Sequence, residues 1–178
     1  MGRPLKILFA ASEVQPFAKT GGLADVCAAL PKALARRGHD VRIVVPKYKG
    51  VDAVDGPCRL LDRTMTVPLG AERIEASLYE HRLEPGVPVH FIRHDPFFDR
   101  DHLYGPPGAA YPDNAERFIF FCRGVLETCK ALAFKPDIIH CSDWQTGLIP
   151  VYLKSLYAAD EYFQETRSVL SLTVPSLA

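Results

Sequence analysis

Lys19-Thr20-Gly21-Gly22-Leu23-Ala24-Asp25-Val26 is the stretch whose reading decides the fold. It follows an apolar run, Leu5-Lys6-Ile7-Leu8-Phe9-Ala10-Ala11, with the character of a buried parallel strand. It opens a segment in which Leu23, Val26, Cys27, Leu30 and Leu34 share one helical face. A strand, a glycine loop and a helix start together suit an anion. The helix N-terminus offers unpaired N–H groups and a partial positive charge. Glycines let a ligand approach the backbone, and Lys19 adds a point charge of the kind that binds phosphate. A tight strand-to-helix turn with a solvated lysine explains the same spacing equally well.

Further along, Pro31 falls inside the helical pattern and is expected to kink or split it. Gly38 ends it, after Arg36 and Arg37 in the last turn. Val41-Arg42-Ile43-Val44-Val45 reads as the next strand, stopped by Pro46. This strand–helix–strand unit predicts parallel pairing through a right-handed crossover. Residues 60–69, 73–80 and 87–92 look strand-like, with turn signals at Gly70-Ala71-Glu72 and Glu84-Pro85-Gly86. They predict an antiparallel pair or meander inserted over about residues 58–93. Residues 96–104 read as a short helix or loop, and 105–110 as a loop.

Helical spacing returns after Asp113, a candidate N-cap, with Phe118, Phe121, Cys122, Val125, Leu126 and Cys129 on one face. A short strand at 136–141, a helix at 146–157 with Pro150 in its first turn, and a strand at 167–172 complete the order. Alternation of this kind predicts one α/β domain over residues 1–178, with a doubly wound, mostly parallel sheet. Ligands collect at the carboxyl ends of such strands, which puts Lys19, Asp143 and Trp144 on one rim.

The 178 residues carry 21 Lys and Arg against 21 Asp and Glu, so the formal net charge is zero. No broad attraction to nucleic acid or anionic membrane follows. No apolar run approaches the ~20 residues of a membrane helix, and no signal peptide is seen, so the cytoplasm is the expected compartment. Five cysteines, Cys27, Cys58, Cys122, Cys129 and Cys141, form no C-x-x-C pair. A disulfide framework or zinc site is not expected. Cys27, Cys122 and Cys141 read as buried thiols. His90, His94 and His102 lack ligand spacing on any one element, so no metal is assigned.

An ordered series of motifs now adds to this. Ser12-Glu13-Val14-Gln15-Pro16-Phe17 precedes Lys19–Val26. Ala29-Leu30-Pro31-Lys32-Ala33-Leu34 and Arg37-Gly38-His39-Asp40-Val41 follow. Tyr111-Pro112-Asp113-Asn114-Ala115-Glu116-Arg117-Phe118, Pro136-Asp137-Ile138-Ile139-His140, Asp143-Trp144 and Thr146-Gly147-Leu148 complete the set. The series resembles the amino-terminal region of bacterial glycogen synthases and plant starch synthases, from about residue 5 to about 170. The resemblance implies the Rossmann-like first half of a two-domain, GT-B type retaining glycosyltransferase. Its implied reaction moves glucose from ADP-glucose to an α-1,4-glucan, with no cofactor beyond the donor substrate.

By that resemblance Lys19 contacts the donor, Gly21 and Gly22 lie against its phosphates or sugar, and Asp25 stands near the active site. Asp143 and Trp144 line the cleft where glucose and glucan meet, with Asp143 the catalytic candidate, and Tyr111 belongs to the acceptor region. Structural roles compete: dipole-complementing charge for Asp25, an N-cap for Asp143, core packing for Trp144 and an exposed loop aromatic for Tyr111. His140 reads as a structural histidine.

Three departures stand out. The family has histidine after the Asp-Trp pair; here it is Gln145, which cannot gain charge near neutral pH. Thr173 stands where the family's donor-side histidine is expected. The second, nucleotide-binding domain is expected to be missing, so a truncated inactive remnant, or a non-catalytic glucan- or nucleotide-binding module, is the alternative reading.

Overall fold

Strand β1 (Lys6–Ala10) is a run of five residues whose last four are buried. This computed structural model describes residues 3–54, 56–83 and 86–173. Helix α1 (Gly22–Arg36) crosses from β1 to strand β2 (Asp40–Pro46), which pairs with β1 in parallel, Phe9 opposite Ile43. Leu23, Ala24, Cys27, Ala28 and Pro31 form the buried face of α1; Val26, expected on that face, is instead 58% exposed. Pro31 does not split the helix, which runs through it to Arg36. Gly38, at φ +90, turns the chain out of the helix, a left-handed position that suits glycine.

Strands β3 (Arg59–Leu69), β4 (Glu72–Leu83) and β5 (Val87–Arg93) form an antiparallel meander. The inserted strands do not stand apart, because β5 also pairs in parallel with β2. Of the second turn signal only Gly86, at φ +104, lies among the described residues. After the four-residue helix α2 (Asp95–Phe98) comes α3 (Asn114–Ala131), which buries Phe118, Phe121, Cys122, Val125, Leu126 and Cys129 as the spacing predicts.

Strand β6 (Ile138–Ser142) pairs in parallel with β1 on one side and with β7 (Arg167–Ser171) on the other. The helix expected over 146–157 is shorter: a 3-10 turn at Trp144–Thr146 leads into α4 (Leu148–Lys154). Asp113 does sit at the N-cap of α3, but its carboxylate does not cap the helix. It is held by Arg100, with nitrogen–oxygen distances of 2.5 and 2.8 Å. A bidentate guanidinium is the stronger partner for a carboxylate.

The sheet order is β3-β4-β5-β2-β1-β6-β7. Its central strands are apolar on both faces, as a parallel sheet covered by helices requires. All five cysteines are buried and free.

One polar group in this interior makes stability depend on pH. His90, on β5, is 1% exposed, and neither ring nitrogen has a hydrogen-bond partner. Burial lowers its pKa to about 4, outweighing the Glu80 carboxylate 3.8 Å away. The folded state therefore keeps a neutral ring while the unfolded chain takes up a proton between pH 6.5 and 4. This contribution is complete above pH 6.5 and is lost as pH falls toward 4. It amounts to about 3 kcal/mol. Urea unfolding at pH 7 and pH 4 is expected to show His90→Leu losing less stability on acidification than wild type. Equal losses would remove His90 as the cause.

Candidate functional site

The strand order reverses around β1: the chain leaves it for β2 on one side and later returns to β6 on the other. The crevice of an open α/β sheet lies at such a switch point, outside the carboxyl ends of the strands. Residues 11–21 leave β1 there, and Asp143 follows β6 there. These segments make two lips.

The first lip is a short loop closed on itself, with Val14 and Ala18 exchanging backbone hydrogen bonds of 3.0 and 3.1 Å. Its stem is fixed by Glu13, a carboxylate only 3% exposed. The Thr20 N–H donates to Glu13 Oε2 at 2.6 Å and the Thr20 hydroxyl to Oε1 at 2.6 Å. The Tyr104 hydroxyl donates to Oε1 at 2.7 Å and lies 2.8 Å from Ser12 Oγ. Burial, with Tyr48 and Glu13 nearby, raises the Tyr104 pKa, so its hydroxyl keeps its proton.

Beyond Thr20 the lip is open. Gly21 is the N-cap of α1 and offers no side chain to its first N–H groups. A Cβ added at Gly21 or Gly22 would meet nothing within 4 Å. Protein packing does not require glycine there; the space lies in front of an uncapped helix end. Lys19 Nζ is 2.6 Å from Asp25 Oδ1 and 3.4 Å from Gln15 Oε1, so its charge is already partnered. Both side chains of that pair are about half exposed, where a water-screened ion pair is weak and readily exchanged.

The second lip is Asp143 and Trp144. Asp143 adopts φ 67 and ψ −178, a conformation rarely used by non-glycine residues. It is held there on several sides. Its N–H donates to the Ser171 carbonyl at 2.7 Å, and its carbonyl accepts from the Thr146 hydroxyl at 3.0 Å. Oδ1 accepts the Trp144 N–H at 2.7 Å, a local cap that leaves Oδ2 free to accept. Backbone strain held this way recurs at functional sites. Trp144 is 54% exposed, so it is not a core residue. Its ring meets Phe118 edge-on at 5.2 Å and lies 6.4 Å from Tyr104.

Tyr104 thus ties the lips together, its hydroxyl on Glu13 and its ring beside Trp144. Beneath them Cys27 is hydrogen-bonded to Ser142 and within electrostatic reach of both Glu13 and Asp143; burial raises its pKa. The fold therefore gathers Lys19, Gly21, Gly22 and Asp25 on one lip and Asp143 and Trp144 on the other. Tyr111 stands further back. Its N–H donates to the Tyr104 carbonyl at 2.9 Å, and its ring lies against the guanidinium groups of Arg100 at 4.8 Å and Arg117 at 5.1 Å. Gln145 is buried and its Oε1 has no partner; its carbonyl accepts the Cys122 thiol at 3.2 Å. Thr173 is exposed beyond β7. Sequence reasoning passed over Glu13 and Tyr104. The available signal was a carboxylate three residues past an apolar strand, at the ligand edge of the sheet.

A family model described as "Starch synthase catalytic domain" matches residues 6–172. The chain belongs to the starch synthase catalytic domain family. Glycogen synthase 2 of Geobacter metallireducens is 49% identical over 168 residues, 94% of this chain and 34% of that protein. Glycogen synthase of Aeromonas hydrophila is 48% identical over 169 residues, 95% of this chain and 35% of that protein. The catalytic domain of Starch Synthase IV from Arabidopsis thaliana, solved bound to ADP and acarbose, superposes with a TM-score of 0.82 at 36% identity. That match covers 94% of this chain and 34% of the other. This starch synthase family chain thus spans about a third of the length of the relatives it matches.

Proposed function

We propose that the chain forms the acceptor-side half of a retaining GT-B glucosyltransferase of the cytoplasm. That enzyme transfers glucose from ADP-glucose to the end of an α-1,4-glucan. The observation that carries this reading is the uncapped N-terminus of α1, behind the open Gly21-Gly22 step, on the same crevice as Asp143 and Trp144. A helix end of this kind is built for phosphate, an aspartate with a free oxygen accepts sugar hydroxyls, and a half-exposed indole face stacks on a sugar ring. The ADP and acarbose in the Arabidopsis relative belong to that protein, and their chemistry matches the two lips here. Donor phosphate takes over Lys19 from Asp25, and Asp25 stays within the first turn of the helix. Tyr111 would act on the acceptor side through the loop it shares with Tyr104. Such a site works by positioning and electrostatics. The second reading, a glucan- or nucleotide-binding module without catalysis, is favoured by Gln145 and Thr173.

Calorimetric titration of the chain with ADP-glucose tests the donor half of the proposal. Lys19→Ala is expected to weaken binding about tenfold, the low end for a charge-assisted contact because the site is open to water. Unchanged affinity would remove Lys19 from the site. Trp144 is the only tryptophan of the sequence, so intrinsic fluorescence reports the acceptor half directly. Maltooligosaccharides are expected to quench or shift its emission, and a flat response to millimolar ligand would take Trp144 out of the glucan path.

A further inference from the structure

Arg117 breaks a general rule for charged side chains. It is 0% exposed, and an arginine is almost never fully buried without an ionic partner. No ion pair among the described residues includes it, and Asp113, at the N-cap of its own helix, gives its carboxylate to Arg100 instead. Its position is costly as well. Arg117 is the fourth residue of α3, close to the positive end of the helix dipole, where a cation is unfavourable.

The contacts of the guanidinium show what this charge does. Nε donates to the Phe97 carbonyl at 2.7 Å and Nη1 to Asn114 Oδ1 at 2.6 Å, while Nη2 is buried without a partner. The group also lies 5.1 Å from the ring centroid of Tyr111 and 5.4 Å from those of Phe98 and Phe118. With Oδ1 of Asn114 taken, its amide nitrogen faces the other way and donates to the Tyr104 carbonyl at 2.8 Å. The Tyr111 N–H donates to the same carbonyl at 2.9 Å. Both donors to Tyr104 therefore belong to residues that Arg117 holds. Phe118 completes the set, its ring 5.8 Å from Tyr104 and 5.2 Å from Trp144.

We propose that Arg117 and Asn114 are positioning residues for the crevice: the buried guanidinium fixes Asn114, Tyr111 and Phe118, and these set Tyr104 and Trp144 for a glucan. The inference rests on the reading of the crevice as a glucan site. Neither residue needs to touch the ligand. An apolar side chain of similar length would fill the space without an unpaired charge, an exchange that is often neutral or stabilising. It would not hold the Phe97 carbonyl and the Asn114 amide at once, which takes a planar fork of donors. Lysine keeps the charge and loses the fork.

Asn114→Asp separates positioning from stability. Its carboxylate gives Arg117 the partner it lacks and adds negative charge to the first turn of α3, both stabilising. Its second oxygen then faces the Tyr104 carbonyl, where a donor is required. Thermal stability is expected to hold or rise, while maltooligosaccharide affinity, read from Trp144 fluorescence, falls roughly fivefold, the contribution of one hydrogen bond. In the ligand-free chain this variant, Arg117→Met and Arg117→Lys are all expected to loosen Trp144, seen as lower fluorescence anisotropy and faster acrylamide quenching. Val67→Ala, a core truncation on the far edge strand β3, is the control: it lowers Tm and is expected to leave Trp144 and the affinity unchanged. If the Arg117 variants do not fold, Asn114→Asp decides alone. Unchanged affinity in Asn114→Asp, or affinity lost only together with stability, overturns the proposal. So do Trp144 signals in the folded variants that match the control. A wild-type chain that binds no maltooligosaccharide sinks the glucan reading instead, and the ligand-free Trp144 signals then decide the positioning by themselves.

Discussion

No ADP above the enzyme-free control is expected when the 178-residue chain is incubated with ADP-glucose and glycogen. The reason is the shape of the crevice. The described residues supply two lips on the carboxyl edge of one sheet, and no second sheet faces them. Electrostatic stabilisation of a transition state depends on donors and charges fixed around it with water excluded. Lys19 and Asp25 are each about half exposed in this arrangement. A charge pair at 4 Å is worth about 1 kcal/mol in water and several times that in a drier site. Positioning suffers equally, because a donor held from one side keeps most of its rotational freedom. Gln145, with a buried unpartnered Oε1, and Thr173, exposed beyond β7, add no titratable group to the crevice. Binding without turnover is therefore the expected behaviour. Release of ADP dependent on the chain would show that these two lips suffice for the chemistry.

The parts of this fold that were legible in the sequence are those governed by local periodicity. The strand–helix–strand unit around Lys19–Val26, the meander and the face of α3 all follow from spacing two or 3.6 residues apart. The errors came where a distant partner decides. Asp113 looked like a cap because its neighbours are local, but Arg100, thirteen residues earlier, takes the carboxylate. Pro31 is expected to kink or split the helix, yet its face packs into the core and the helix is not split. Asp143 is a local cap as sequence suggests, but its left-handed backbone depends on the Ser171 carbonyl, twenty-eight residues on. The site follows the same division. Lys19, Asp143 and Trp144 stood out because strand ends place them on one rim, and Gly21 and Gly22 because they open a helix directly after a strand and loop. The pairing of Lys19 with Asp25 and the support of the loop by Glu13 and Tyr104 needed the tertiary structure, since residues 13 and 104 are 91 positions apart in sequence.

Replacing Glu13 is expected to separate two kinds of donor. Its Oε2 receives the Thr20 backbone N–H, which can only donate. Its Oε1 receives two hydroxyls, Thr20 Oγ1 and Tyr104 Oη, which can rotate and accept instead. Glutamine therefore fits in one orientation, with its oxygen on the Thr20 N–H and its amide nitrogen on the hydroxyls. Glu13→Gln should cost only about 1 kcal/mol, the difference between charged and neutral hydrogen bonds. Glu13→Leu has no such solution. It leaves the Thr20 N–H and hydroxyl without their acceptor and the Tyr104 hydroxyl with only Ser12 Oγ, 2.8 Å away, and each unsatisfied group costs about 1–3 kcal/mol, less where water can enter. A loss of about 3 kcal/mol is expected, which for a domain of this size lowers Tm by roughly 6–12 °C. Tyr104→Phe removes one donor together with its need for an acceptor, so on the leucine background it should cost less than on wild type. The loop itself gives the functional readout: freed from Glu13, Thr20 no longer holds Gly21 and Gly22 at the end of α1, and ADP-glucose affinity should fall in Glu13→Leu further than in Glu13→Gln. Thermal melts and calorimetric titration of the five proteins decide it. If leucine proves as mild as glutamine in both measurements, the loop is held by its own Val14–Ala18 closure, and Glu13 is a bystander to the site.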